Sequence, residues 1–229
     1  MSEPLIHDEL DVFMALVPCR NQSIIELGCG SARMARQLLL KEPSVTYVGM
    51  EVDRIQHDKN LAQPQAGMSF LYGAANAIPF DPATFDAAVM LKSLHHVPLD
   101  ELDASLQEIA RVLKPEGLLY VSEPVYAGDL NEIVKVFNDE GVVRAEAQRA
   151  LDRALASGQW AVVAERRFDM PVRFESFEQF EQRMMRPTFK DHHLTADLIE
   201  RTRAVFERYA DASGLTSTRP MHVRCLRRT

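Results

Sequence analysis

Two hydrophobic periods alternate along the first half of the chain. Residues 24–27, 45–50, 69–72, 85–91 and 118–122 are short apolar runs bounded by turn formers, with the length and composition of buried strands. Helical spacing fills the gaps between them. In residues 100–114 the side chains of Leu102, Leu106, Ile109, Ala110 and Leu113 share one face, with Asp100 placed to cap the helix and Pro115 to stop it. Strands that alternate with crossover helices predict a parallel α/β sheet covered by helices. The second half has another rhythm. Residues 129–155 are helical in composition with Gly141 dividing them, residues 160–174 return to β character, 175–185 and 195–212 read as helices, and 220–228 as a last strand beyond Gly214.

Composition narrows what such a sheet serves. With 46% hydrophobic and 26% charged residues, the 229-residue chain can build a full core. One domain over residues 1–229 is expected, with residues 125–158 as a helical insertion or cap. A net charge of -7 opposes a general phosphate-binding surface, so a small molecule is the expected partner and nucleic acid is not. No apolar run reaches the roughly 20 residues that span a bilayer, and residues 1–10 lack the positive charge of a signal peptide, which predicts a cytoplasmic protein without a membrane partner. Cys19, Cys29 and Cys225 are odd in number and unpaired in spacing, and the adjacent His192 and His193 lack a completing ligand set. Neither a disulfide nor a metal is expected.

Chemistry concentrates in one loop. After the strand ending at Leu27, the chain must turn sharply through Gly28-Cys29-Gly30-Ser31-Ala32 into a helix, and two glycines permit both positive φ and close approach of a ligand. A dinucleotide loop would place a small residue five positions after Gly28, where Arg33 stands, so NAD is disfavoured. Glu51 closes the second strand 23 positions after Gly28, suited to accept hydrogen bonds from ribose hydroxyls. Asp53 follows that strand and reads as the cap of a helix over residues 54–62.

Ile25-Glu26-Leu27-Gly28-Cys29-Gly30, Gly49-Met50-Glu51, Ile78-Pro79-Phe80, Phe85-Asp86 and Arg111-Val112-Leu113-Lys114-Pro115-Glu116-Gly117 stand in the order and spacing of a known group. Over residues 20–124 the chain resembles class I S-adenosylmethionine-dependent methyltransferases, of the ubiquinone/menaquinone-biosynthesis-like (methyltransferase type 11) group. The resemblance implies a Rossmann-like, doubly wound seven-stranded sheet with an antiparallel last strand, and S-adenosylmethionine over the ends of strands one, two and four. It further implies that Glu26 serves the methionine amino group, that the Gly28, Cys29 and Gly30 backbone lines the methionine and ribose, and that Glu51 holds the ribose. Met50 and Val52 flank the adenine, Ala75 presents a backbone N–H to it, and the Leu91 backbone lies beside the methionine amino group. Two positions depart from the pattern: Ala32 replaces a third glycine, and Ala74 stands where a carboxylate usually accepts from adenine, a role for which Asn76 is a substitute.

A methyl group leaving a sulfonium departs from neutral sulfur, so alignment alone can supply roughly 7 to 11 kcal/mol. A base is needed only for an acceptor that holds its proton tightly. His95 and His96, in the loop after the fourth strand, are candidate bases, and packing or loop hydrogen bonding is the alternative for each. Glu123 and Tyr126 follow the fifth strand and are candidates beside the same pocket, with turn stabilisation as their alternative. Residues 174–194 are expected to shape the acceptor pocket. The expected activity is direct methyl transfer to a small molecule, with S-adenosylhomocysteine as product; a non-catalytic S-adenosylmethionine-binding protein and an NAD-dependent oxidoreductase are the alternatives.

Overall fold

In the computed structural model, which describes residues 3–229, seven strands form one sheet in the order β3-β2-β1-β4-β5-β7-β6. β1 (Ser23–Leu27), β2 (Thr46–Glu51), β3 (Met68–Tyr72), β4 (Phe85–Leu91) and β5 (Leu113–Pro124) pair in parallel. β7 (Leu215–Arg228) enters between β5 and β6 (Trp160–Phe174) and runs antiparallel to both. This is the architecture anticipated from the motif order.

Period-two alternation builds two cores from the same strands. Ile25, Ala88, Met90, Leu119 and Val121 point to one face, where they meet Leu102, Leu106 and Ile109 of helix α4 (Leu102–Val112). Ile24, Ala87, Val89 and Tyr120 point to the other, against Phe13 of α1 (Glu9–Leu16) and Leu38 of α2 (Arg33–Lys41). β1 is central, so nearly every residue on it is buried. Its end is therefore rigid, which is what a binding loop requires.

Several boundaries move for identifiable reasons. α4 starts at Leu102 after a 3₁₀ turn (Leu99–Glu101), and Asp100 lies inside that turn instead of capping. It ends at Val112 because Leu113 is already extended and pairs with Phe85, so Pro115 lies within β5 and does not stop the helix. The helical segment divides into two pieces as expected, α5 (Asp129–Val134) and α6 (Gly141–Ala156), but the break covers residues 135–140 and Gly141 opens the second helix. α6 packs Ala147, Ala150 and Leu151 into the α4-side core, while Leu130 and Ile133 of α5 join a separate cluster. The last strand begins at Leu215, directly after Gly214, because β6 pairs with it along its whole length, from Phe174 opposite Leu215 to Trp160 opposite Arg228. Asp53 caps α3 (Arg54–Leu61) through its side chain, as expected.

Beyond the sheet, Phe174, Phe177, Phe180 and Phe206 interlock with Leu130, Ile133 and Leu215 in a third cluster. It joins α5, α7 (Phe177–Phe180) and α8 (Ala196–Tyr209). Met185 closes a π-helical turn (Glu181–Met185) against it. Among the described residues no helix is long and apolar enough to cross a membrane.

Candidate functional site

β1 delivers Glu26 and Leu27 to the carboxyl edge of the sheet, where the backbone N–H groups of Gly28 and Cys29 both donate to Met50 O, at 2.9 and 3.0 Å. Gly28 has φ +71°, and a Cβ there would lie 2.7 Å from Ser93 Cβ, so glycine is what lets the β1 and β4 loops touch. Ser93 Oγ closes that contact by donating to Leu27 O at 2.7 Å. Ala32, where related loops carry a third glycine, adopts φ 52° and ψ 34°, a left-handed conformation that costs an alanine roughly 1 kcal/mol or more.

Two side chains brace the loop from outside. Glu51 Oε2 accepts from Gly30 N at 2.7 Å, while its Oε1 accepts from Val52 N and Asp53 N, each at 2.9 Å. Three of about four acceptor positions on that carboxylate are thereby filled. A ribose hydroxyl can use the fourth, and a second hydroxyl must displace a backbone N–H. Asn60, on α3, donates through Nδ2 to Gly30 O at 2.7 Å, a support that no motif in the sequence marks.

A cavity of about 710 Å³ opens over this loop, within the range of ligand sites. Glu26, Gly28, Cys29, Gly30, Glu51, Val52, Ala74, Ala75 and Leu91 all line it, so the nine residues assigned to cofactor converge on one space. A Cβ on Gly30 would meet nothing within 4 Å, which places that backbone against the open cavity. Asn76 does not line it; its amide instead donates to Glu101 Oε2 at 2.7 Å. Glu101 itself reaches the cavity, bringing a carboxylate to the side where Ala74 has none.

Two buried carboxyl groups stand on one wall of the cavity. Glu26 is 2% exposed, takes a hydrogen bond from Tyr47 Oη at 3.1 Å, and is pushed by burial up to about 8. Glu9, from α1, lines the same wall and pairs with Lys92 at 2.9 Å, leaving its Oε1 without a partner. The sequence signal for Glu9 lay in the capping Asp8 followed by Leu10 and Phe13 at helical spacing. Cys29 faces the cavity with its thiol pushed far above the usual range by burial, so it packs and does not attack.

The four candidates for chemistry separate. His96 alone among them lines the cavity. His95 lies beneath it, its ring centroid 4.0 Å from that of His96, and pairs through Nδ1 with the buried Glu123. Glu123 Oε1 accepts from Leu94 N at 2.9 Å, so this carboxylate holds the loop from below. Tyr126 is 42% exposed and donates to Asp139 at 2.8 Å, away from the cavity. Burial, and then the adjacent His95, lower His96 to about 4, which keeps it neutral at pH 7. His95, His96 and Glu140 bring potential metal ligands within 4.8 Å of one another, but Arg144 already holds Glu140 at 2.6 Å. A guanidinium on the shared carboxylate makes the cluster an ion-pair network in which a metal would have to displace Arg144.

Comparison with known proteins agrees with this geometry. Residues 25–121 match the family described as a methyltransferase domain. An O-methyltransferase from Aspergillus nomiae is 35% identical over 111 residues, covering 45% of this chain and 47% of that protein. The fatty-acid O-methyltransferase of Mycolicibacterium smegmatis is 28% identical over 142 residues, 59% of this chain and 48% of that protein. The chain thus spans about half the length of the curated relatives it matches. The YcgJ protein of Bacillus subtilis shares the fold almost end to end, with TM-score 0.67 at 15% identity over 96% of this chain and 97% of the other. Motif order, sheet topology and family match together make residues 25–121 a methyltransferase domain of the class I S-adenosylmethionine-dependent type.

Proposed function

We propose that the protein transfers a methyl group from S-adenosylmethionine to a small-molecule acceptor by direct displacement. One observation carries the reading: the glycine loop, Glu26 and Glu51 meet at a single cavity over the ends of β1, β2 and β4. When bound, the cofactor supplies a methyl group on a positively charged sulfur. Glu26 would hold its amino group, Glu51 its ribose, and Gly73 to Ala75 with Val52 the adenine, while Glu101 would offer the acceptor oxygen missing at Ala74.

On the acceptor side, residues 174–194 form part of the pocket. The Phe189 ring lies 5.2 Å from the His96 ring, the Thr188 hydroxyl donates to Asp53, and Lys190 Nζ donates to Asn138 at 2.6 Å. His96 positions the acceptor by hydrogen bonding, because a group titrating near 4 takes a proton from a neutral alcohol poorly at pH 7. Glu123 and His95 hold His96 in place, and Tyr126 has no part in the chemistry. The relatives named O-methyltransferases support oxygen as the accepting atom.

Calorimetric titration tests the cofactor assignment. S-adenosylhomocysteine should bind and NAD should not, and Glu51→Ala should weaken binding by about 1 to 3 kcal/mol. Absence of binding at millimolar ligand would overturn the reading.

A further inference from the structure

Among the described residues, Arg219 on β7 is a cation without a partner. It is partly buried and lines both the large cavity and a second one of about 230 Å³, yet no ion pair or hydrogen bond to its guanidinium is found among the described residues. The two carboxylates closest to it in effect are already engaged: Glu140 by Arg144 at 2.6 Å and Glu9 by Lys92 at 2.9 Å. A guanidinium that faces two cavities and is held by no carboxylate is free to pair with an incoming anion.

The second cavity explains what would complete it. Lys92, Arg144, Arg183 and Arg219 line it against one carboxylate, Glu140, an excess of positive charge in a chain whose net charge is -7. Away from the shared wall, Leu130, Val134, Phe137 and Met184 give the cavity a mainly apolar surface, beside the polar His95, Asn131, Asn138 and His192. Lys92, Phe189 and Arg219 are common to both cavities, so the junction where an acceptor must meet the methyl group carries the unpaired guanidinium.

We infer that the methyl acceptor is an apolar carboxylic acid, bound as its carboxylate by Arg219 with its hydrocarbon part in the second cavity. This rests on the methyltransferase reading and names its substrate class. Arginine suits the role because its planar fork matches a carboxylate. The neutral, weakly basic His96 agrees, since an ionised acceptor needs no proton removed. The cofactor's own carboxylate has the same chemistry, but the apolar second cavity adjoins Arg219 and not the glycine loop.

The test is binding to the full chain saturated with S-adenosylhomocysteine, using straight-chain and aryl carboxylic acids, each paired with its primary amide. At least one acid should bind about tenfold or more tighter than its amide, Arg219→Gln should abolish the difference, and Arg219→Lys should restore part of it. The inference is overturned if no acid outcompetes its amide, or if the preference survives Arg219→Gln in a variant that melts as wild type does. It is also overturned if Arg219→Gln weakens S-adenosylhomocysteine but not 5′-methylthioadenosine, which lacks the amino-acid carboxylate; that result would assign Arg219 to the cofactor. If S-adenosylhomocysteine itself fails to bind, the methyltransferase reading falls and the inference falls with it.

Discussion

The two ends of the sheet are built by different rules. β1, β2 and β4 have 5, 6 and 7 residues, are mostly buried, and stop at the binding loop. β6 and β7 have 15 and 14 residues, mix exposed and half-buried positions with buried ones, and run out to a separate aromatic cluster. On the first side the site is made largely of backbone: glycine φ angles, amide donors, and carboxylates that fix them. The second side is made of side chains, among them Arg219, Phe189 and the π-turn that closes on Met185. Backbone sites tolerate little change, whereas side-chain walls can be rewritten without moving the sheet.

The strongest attack on that division is Phe180→Ala. Phe180 is fully buried among Phe174, Phe177 and Phe206, so truncation should cost about 3 to 5 kcal/mol of stability, read by chemical denaturation. S-adenosylhomocysteine affinity of the folded fraction should be unchanged. A parallel loss of affinity would show that the two ends are one cooperative unit.

Proton linkage at Glu26 sharpens the cofactor end. Burial raises this carboxyl from 4.5 to about 8, so between those values the folded chain keeps a proton that the unfolded chain has released. Its contribution to stability is therefore complete below the lower value and is lost as pH rises through the upper one. Glu26→Gln should flatten the fall in melting temperature between about pH 5 and 9. A cationic amino group arriving at Glu26 should also expel the proton, which titrations in buffers of different ionisation enthalpy would detect at pH 7 in wild type and not in Glu26→Gln.

Ala32→Gly is the smallest expected effect. Relief of the left-handed strain outweighs the extra freedom of glycine in the unfolded chain, for a gain of about 0.5 to 1 kcal/mol. A loss of stability in the melting curve would mean that the buried Ala32 methyl contributes more packing than its conformation costs.

Much of the cofactor end was legible beforehand because its signals are local. Gly28, Gly30 and Glu51 each sit at the end of a strand whose apolar run announces it, and a parallel sheet brings such ends together wherever the crossovers are right-handed and short. The nine positions expected to hold the cofactor accordingly line one cavity. Local signals also misled: Pro115 reads as a helix stop, yet β5 pairing had already ended the helix two residues earlier. Asn60 and Glu101 carry no motif, and their importance comes from neighbours distant in sequence, Gly30 and Asn76.

By itself the sequence determined the alternation of strands and helices, the glycine turn and the carboxylate of Glu51 at the end of the second strand, because each depends on residues within a few positions of one another. Tertiary structure alone decided that His96 faces the large cavity, His95 the second one, and Glu123 and Tyr126 neither, and that Arg219 stands between the two cavities unpaired among the described residues. Those outcomes are set by packing between β4, β5 and β7 and by which carboxylates other cations have already taken, and neither is written in any local stretch of the chain.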